Sequence, residues 1–386
     1  MVSSSVKTIG IDARSIVGQP TGVGRYVLNL VRAMAPMDRS LRLRVYLPAP
    51  FEGPWDGSVE TVVLPTPGAL GGLDNMFTWN HVRLPLHLAR HPVDLFHGPF
   101  YTLPAICPSP AVVTIHDITF DLHPEWFTRR ARLAFSGFAA SSARKARHVL
   151  TVSECSRRDI IERYGLPADR VTAAPLAPDP QFVPASAAAA AAFAAGPGEG
   201  RPYLLHVGSI TPRRNVTRLL EAFARVIREV DVSLVLAGRV EPPSPPLAPA
   251  IEALGLIDRV RVCGYVGGDD LAALYRGAAA LVCPSLYEGF GLPVAEAMAC
   301  GIPAVVSGTS CFPEVAGEAA LFVDPEDTGS IADGLRRVLT DRPLRERLIR
   351  LGHERARGFS WERTAAATLA VYHDALRAQA GGAVAS

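Results

Sequence analysis

Several features that mark whole classes of protein are missing from this chain. Its six cysteines, Cys107, Cys155, Cys263, Cys283, Cys300 and Cys311, form no C-x-x-C pair. Scattered, several of them within apolar runs, they read as reduced, structural thiols of a cytoplasmic protein, not as a disulfide framework. No run of about 18 apolar residues occurs, so no membrane span is expected. Met1–Gly10 lacks the apolar core of a signal peptide. Charge of either sign is not in excess: 39 Lys and Arg against 37 Asp and Glu leave +2, which gives no argument for nucleic acid as a partner. Metal-ligand spacings such as H-E-x-x-H are absent, as is a D-x-D carboxylate pair, so no catalytic metal is expected. A G-x-G-x-x-G fingerprint starting at Gly22 would need its third glycine where the chain has Val27. A dinucleotide oxidoreductase is disfavoured on that ground.

What is present is a long alternation of short apolar runs with helical patterns, the signature of parallel α/β layers. At 386 residues the chain is long for a single core, and two domains are expected. Strands are predicted at 8–12, 41–47, 59–64, 94–97, 111–116, 148–153 and 170–174 in the first half. The second half gives 203–207, 233–237, 260–263, 280–283, 304–307 and 320–323. Helices fill the intervals, among them 23–35, 75–90, 154–164, 215–229, 293–300, 328–340 and 344–357. Pro184–Gly200, an alanine run ending in Gly and Pro, marks a boundary between domains 1–183 and 201–358. A final helix, 361–380, is expected to cross back onto the first domain, with Ser360 as its cap and 381–386 frayed.

The densest signal is Tyr287 to Pro303. A strand feeds a loop carrying Glu288, Gly289, Phe290 and Gly291; then Leu292 and Pro293 lead into a helix that Gly301 closes. Glu296 lies about one turn into that helix, where a carboxylate can accept from two adjacent ribose hydroxyls. Glu288, in the loop, can reach a sugar. The bland alternative is a helix whose acids merely suit its dipole. A second signal, Gly208-Ser209-Ile210-Thr211-Pro212-Arg213-Arg214-Asn215, follows a strand and opens a helix. Two arginines at the positive end of a helix are unfavourable unless an anion is held there. Forked, charge-assisted contacts from Arg213 and Arg214 to a diphosphate resolve that conflict and stabilise its departure.

Gly22 and Gly24, in the turn after the first strand, would let backbone N–H groups approach a phosphate, although a plain tight turn explains them equally well. His116 ends a buried strand before Asp117 and is a candidate for bonding a sugar hydroxyl, with His97 a weaker one. Trp126–His148 reads as one long helix in which aromatics interleave with Arg129, Arg130, Arg132, Arg144, Lys145 and Arg147. A core-packed helix with a solvated basic side is favoured there over a peripheral contact with anionic lipid.

Together these segments resemble the retaining glycosyltransferases of family 4, which have the GT-B architecture. Glu288 to Pro303 matches the family's E-x7-E pattern within G-F-G-L-P-x-x-E-A-M-A-C-G-x-P. Gly208 to Phe223 is similar to a subgroup whose turn reads P-R-K-N, with Arg214 in place of the lysine. Phe359-Ser360-Trp361 looks like the family's C-terminal signature. The resemblance spans nearly the whole chain and implies two Rossmann-like domains facing an inter-domain cleft, the second holding the donor. By matched position, Glu296 would bind ribose. Arg213 and Arg214 would bind the diphosphate with backbone N–H groups of Gly22, Phe290, Gly291 and Leu292. Glu288 and His116 would contact the transferred sugar, and Cys263 to Val266, including Tyr265 and Val266, would border the nucleobase. Where many relatives have arginine after the glycine of the V-G-R turn, this chain has Ser209, which leaves more of the phosphate charge to Arg213 and Arg214.

The implied reaction moves a hexose from a nucleotide-sugar donor to the hydroxyl of a glycan or lipid-linked acceptor, without a further cofactor. The P-R-K-N-like turn points to mannose from GDP-mannose ahead of a UDP-sugar. A nucleotide-sugar epimerase, a sugar phosphorylase or a non-catalytic nucleotide-sugar binding module are the competing readings.

Overall fold

The computed structural model describes residues 6–53, 55, 57–65, 78–184, 198 and 200–383. The alanine run before Gly198 and residues 75–77 of one predicted helix lie outside them. The chain divides into two compact units. One comprises Met1–Ile118, Arg130–Leu176 and Trp361–Ser386; the other comprises Thr119–Arg129 and Ala177–Ser360.

The first unit carries a seven-stranded sheet in the order β3-β2-β1-β4-β5-β6-β7, every pair parallel. The strands are β1 Lys7–Asp12, β2 Leu41–Leu47, β3 Val59–Val63, β4 Leu95–Gly98, β5 Ala111–Thr114, β6 His148–Thr151 and β7 Val171–Ala173. The second unit repeats the plan with six parallel strands, β10-β9-β8-β11-β12-β13. These are β8 Tyr203–Val207, β9 Ser233–Ala237, β10 Val260–Gly264, β11 Ala280–Cys283, β12 Ala304–Ser307 and β13 Leu321–Val323. Strand order reverses between β1 and β4 in one unit and between β8 and β11 in the other. In open α/β sheets, that reversal is where the loops part and ligands bind.

Local chemistry accounts for these elements. β8, β9 and β11 are buried at every residue, as parallel strands covered on both faces must be. The helix Val216–Val226 buries Val216, Leu219, Leu220, Phe223 and Val226, one apolar face at helical spacing, against Leu234, Leu236 and Val282. Phe223 alone, fully buried, would cost about 3–5 kcal/mol on truncation to alanine. Glu154–Tyr164 starts where Ser153 Oγ accepts from the Ser156 N–H at 3.0 Å and ends at Gly165 with φ 64°.

Several predicted spans shift at their ends; β5 stops at Thr114, so His116 follows the strand instead of ending it, and the helix predicted at 215–229 is Val216–Val226. The helix drawn from Trp126 to His148 is shorter, Arg129–Lys145, because Pro124–Trp126 forms a 3-10 turn and Phe127 is extended with φ −123° and ψ 148°. Leu133 and Phe138 on it remain 73% and 39% exposed, so core packing does not close that face. The C-terminal helix continues to Ala383. Within the first unit its Tyr372 hydroxyl meets His97 Nδ1 at 2.7 Å, and Thr364 Oγ1 donates to the Pro175 carbonyl at 2.5 Å.

Candidate functional site

In the second unit, β8 is followed by Gly208, whose φ of +125° is open to glycine and strained for other residues. A Cβ there would lie 2.8 Å from the Arg214 guanidinium carbon. Gly208 is therefore the gap in which Arg214 lies. Gly238, at the end of β9, performs the same service one strand over: its Cβ would fall 1.9 Å from the Gly208 carbonyl oxygen. Arg213 and Arg214 do not stand on the helix itself. They occupy a 3-10 turn, Pro212–Arg214, which Asn215 ends in the left-handed region at φ 60°. Asn215 Nδ2 donates to the carbonyls of Pro284 (3.0 Å) and Pro325 (2.7 Å), and the Leu286 N–H donates to the Arg213 carbonyl at 2.8 Å. These bonds stitch the turn to the loops that leave β11 and β13.

The loop after β11 brings Glu288 to both arginines. Arg213 Nη1 donates to Glu288 Oε2 at 2.9 Å and to the Tyr287 carbonyl at 3.2 Å. Arg214 Nη1 lies 2.5 Å from Glu288 Oε1, an ion pair without hydrogen-bond alignment. The Glu288 side chain is 6% exposed. Burial opposes its ionisation, yet the Arg213 and Arg214 charges prevail and hold the carboxyl below its usual range. Two cations on one carboxylate leave the cluster one positive charge in excess. Arg214 Nε is buried with no hydrogen-bond partner. An unsatisfied buried donor costs about 1–3 kcal/mol, so an anionic oxygen within its reach would be stabilising.

Neighbouring titratable groups add no charge. His206 is buried under Arg214, with Nδ1 donating to the Val282 carbonyl at 2.9 Å. Burial first, then the Arg214 charge, lowers its pKa to about 4, so it is neutral. Cys283 Sγ lies 3.9 Å from Arg214 Nη1, and burial raises the thiol's pKa.

Ser310 fixes the loop from the other side. Its hydroxyl donates to the Glu288 carbonyl at 2.7 Å and accepts from the Glu288 N–H at 3.0 Å, from a backbone held at φ 59°. Gly291 follows at φ 78°, and a Cβ there would lie 2.8 Å from Phe312. Leu292 begins the helix Leu292–Cys300. The Phe290 side chain is buried edge-on against Phe359, with centroids 5.5 Å apart, which leaves its backbone for any ligand. Glu296, on the helix, is 1% exposed and accepts from the Tyr275 hydroxyl at 2.7 Å.

Ser209 takes no part in the arginine cluster; its hydroxyl donates to Glu241 Oε1 at 2.8 Å. Tyr265 follows β10, 38% exposed, with the Arg239 guanidinium 5.6 Å from its ring centre; Val266, next along, is half-buried.

The remaining predicted residues belong to the first unit. Gly22 begins the helix Gly22–Met37, with open space around a built Cβ. Gly24 is a steric necessity, because its Cβ would sit 2.2 Å from the Ser15 carbonyl oxygen. His116 is buried after β5. Its Nε2 donates to the Pro99 carbonyl at 3.1 Å, which leaves Nδ1 as the acceptor, and burial lowers its pKa to about 4. His97 is structural: Nδ1 bonds the Tyr372 hydroxyl and Nε2 the Thr114 hydroxyl, each at 2.7 Å. Asp12 and Arg14 pair at 3.5 Å, with Arg14 Nη1 donating to Asn80 Oδ1 at 2.9 Å. Among the described residues no group of three or more His, Cys, Asp or Glu could hold a metal ion, and no helix is long and apolar enough to cross a membrane.

Gly238, Ser310, His206 and Tyr275 were not apparent in the sequence. Only Gly238 had a signal there: three apolar strands end in glycine, at Gly208, Gly238 and Gly264.

Residues 20–182 match the family described as glycosyltransferase family 4, and residues 190–355 match glycosyl transferases group 1. The chain is 31% identical to an O-antigen chain mannosyltransferase B of Escherichia coli, over 91% of this chain and 96% of that one. It is 34% identical to an MMP alpha-(1->4)-mannosyltransferase of Mycolicibacterium hassiacum, over 69% of this chain and 66% of that one. Among solved structures, a sucrose-phosphate synthase from Thermosynechococcus elongatus superposes with a TM-score of 0.78 at 20% identity, covering 96% of this chain and 100% of that one.

Proposed function

Because the chain belongs to glycosyltransferase family 4, with the two Rossmann-like units of the GT-B fold, we propose that it transfers a hexose from a nucleotide diphosphate sugar to an acceptor hydroxyl with retained anomeric configuration. The mannosyltransferases to which it is similar support mannose as that hexose, and GDP-mannose as the donor is our own assignment. The acceptor is a glycan, lipid-linked in the simplest case.

One observation carries this reading: Arg213 and Arg214 converge on the single buried carboxylate of Glu288 at the β8/β11 reversal, with net positive charge and an unpartnered Arg214 Nε–H. A diphosphate supplies the missing anionic oxygens. Its charge grows as the glycosidic bond breaks, so the arginines stabilise the transition state more than the ground state. The N–H groups of Phe290, Gly291 and Leu292, beside the helix start, add donors for the same phosphates. The acceptor attacks the face from which the diphosphate leaves, and the diphosphate takes the acceptor proton. No enzyme nucleophile or metal is required in this scheme. Glu288 binds a hydroxyl of the sugar and Glu296 the ribose, while the His116 Nδ1 acceptor of the first unit offers a bond to a hydroxyl-bearing ligand. We also assign a peripheral bilayer contact to the exposed Arg130, Arg132, Leu133 and Phe138.

Incubation of the protein with GDP-mannose and a lipid-linked or oligosaccharide acceptor, with product analysis by mass spectrometry and NMR, tests the proposal. An α-linked mannoside is expected. Free mannose phosphate or an epimerised nucleotide sugar as the main product would replace it with phosphorolysis or epimerisation.

A further inference from the structure

Glu296 presents a problem that its helix cannot solve. The last torsion of a glutamate side chain is broad and roughly two-fold, so a rotamer alone does not set the plane of its carboxylate. At 1% exposure, water does not set it either. A carboxyl group buried so deeply needs a hydrogen-bond partner of fixed direction.

Tyr275 is that partner. It lies on the helix Gly268–Gly277 and is fully buried. Its ring stands edge-on to Phe182, with centroids 5.4 Å apart and planes at 85°. Packed on that side and carried by a helix, the ring holds its hydroxyl in one place. The hydroxyl donates to Glu296 Oε2 at 2.7 Å, a full-strength hydrogen bond. A carboxylate only accepts, so the phenol proton must point at Oε2.

We propose that Tyr275 is a positioning residue for the donor nucleotide: by holding Oε2 it turns Oε1 of Glu296 toward the two ribose hydroxyls. The inference rests on the reading of Glu296 as the ribose ligand, and it adds the residue that makes that contact directional. It also predicts that Tyr275 acts on the ribose and on no other part of the nucleotide.

Isothermal titration of the wild type, Tyr275→Phe, Glu296→Gln and the double variant with GDP, UDP and their 2′,3′-dideoxy counterparts tests this. The wild type is expected to lose about tenfold or more in affinity when the ribose hydroxyls are removed. Tyr275→Phe keeps the ring and should weaken the ribonucleotide about five- to tenfold while changing the dideoxynucleotide by less than about twofold. In the Glu296→Gln background, which leaves no buried charge unpaired, adding Tyr275→Phe should have little further effect. Equal losses for ribo- and dideoxynucleotide, no loss for either, or a further several-fold loss in the Glu296→Gln background would overturn the role of Tyr275. A wild type that binds both nucleotides equally would instead remove Glu296 as the ribose ligand. Failure to bind any of the four would remove the nucleotide-sugar reading itself.

Discussion

The two units share a sheet plan but satisfy their strand-end chemistry in opposite ways. At the β1/β4 reversal, the charges of Asp12 and Arg14 balance and the histidines are neutral. Asp12 meets Arg14 one to one, Asn80 takes another Arg14 nitrogen, and both His97 nitrogens are bonded. His116 keeps one ring nitrogen as an acceptor and stays uncharged. At the β8/β11 reversal two guanidiniums share one carboxylate, and a buried N–H is left without an acceptor. One strand-order reversal thus carries a balanced ion pair and neutral histidines, and the other an excess of positive charge. Strand order fixes where a ligand can bind, and charge balance fixes which ligand.

The largest test of that contrast is Arg214→Ala. Turnover should fall about 10²- to 10³-fold, the usual loss of a transition-state charge contact. Glu288 keeps Arg213, so circular dichroism should show a folded protein. Near-normal turnover would move the leaving-group site elsewhere. His116→Ala should do less, about tenfold in kcat/KM, because it removes one neutral hydrogen bond to a hydroxyl-bearing ligand. Its effect should vanish when the nucleoside diphosphate alone is the ligand in a binding assay.

Glycine substitutions sharpen the comparison through backbone space. Gly238→Ala pushes a methyl group into the Gly208 carbonyl, and Gly24→Ala pushes one into that of Ser15. Each should destabilise its unit by about 1–3 kcal/mol, read as a lowered melting temperature. Gly22→Ala, with open space around its Cβ, should cost no stability and should weaken donor binding only if that backbone meets the phosphate.

Acidification gives a further contrast. His97, His116 and His206 are buried and neutral when folded, with pKa values lowered by burial to about 3, 4 and 4. An unfolded imidazole titrates near 6.5, so between that pH and the folded values the unfolded state binds more protons and stability is lost as pH is lowered. Each histidine contributes a slope of about 1.4 kcal/mol per pH unit at most. The Glu288 ion pairs act at lower pH: their contribution is present above the ordinary carboxylate range and is lost as pH falls through the lowered folded pKa. Chemical denaturation at pH 7 and pH 5 should show the histidine loss, and a flat profile would contradict the neutral assignment. The smallest effect concerns lipid: vesicles containing anionic lipid should retain the wild type better than Arg130→Glu/Arg132→Glu by a few-fold in a flotation assay, each basic residue being worth about 1 kcal/mol near such a surface.

Many strands were legible because buried parallel strands are continuous apolar runs: β8, β9, β11 and β12 have the predicted bounds, as does β2, which alternates Arg42 and Arg44 with apolar residues. The spacing of Glu288 and Glu296 and the paired arginines were also plain. What could not be read is contact across the chain. Nothing near Tyr275 in sequence says that its hydroxyl reaches Glu296, 21 positions away. Nor does anything near Ser310 say that it would close both backbone bonds of Glu288, 22 positions back. The break at Phe127 was hidden because aromatics and arginines continue the helical pattern through it. The arginines were placed at the turn before a helix, but the 3-10 form of that turn and the left-handed Asn215 that ends it were not legible.

A crystal structure of the protein with a nucleoside diphosphate tests the central claim most directly. The account predicts the two phosphates within about 3 Å of the Arg213 and Arg214 guanidiniums and of the 290–292 backbone N–H groups. A diphosphate bound away from these groups, with Arg213 and Arg214 still closed on Glu288, would contradict it.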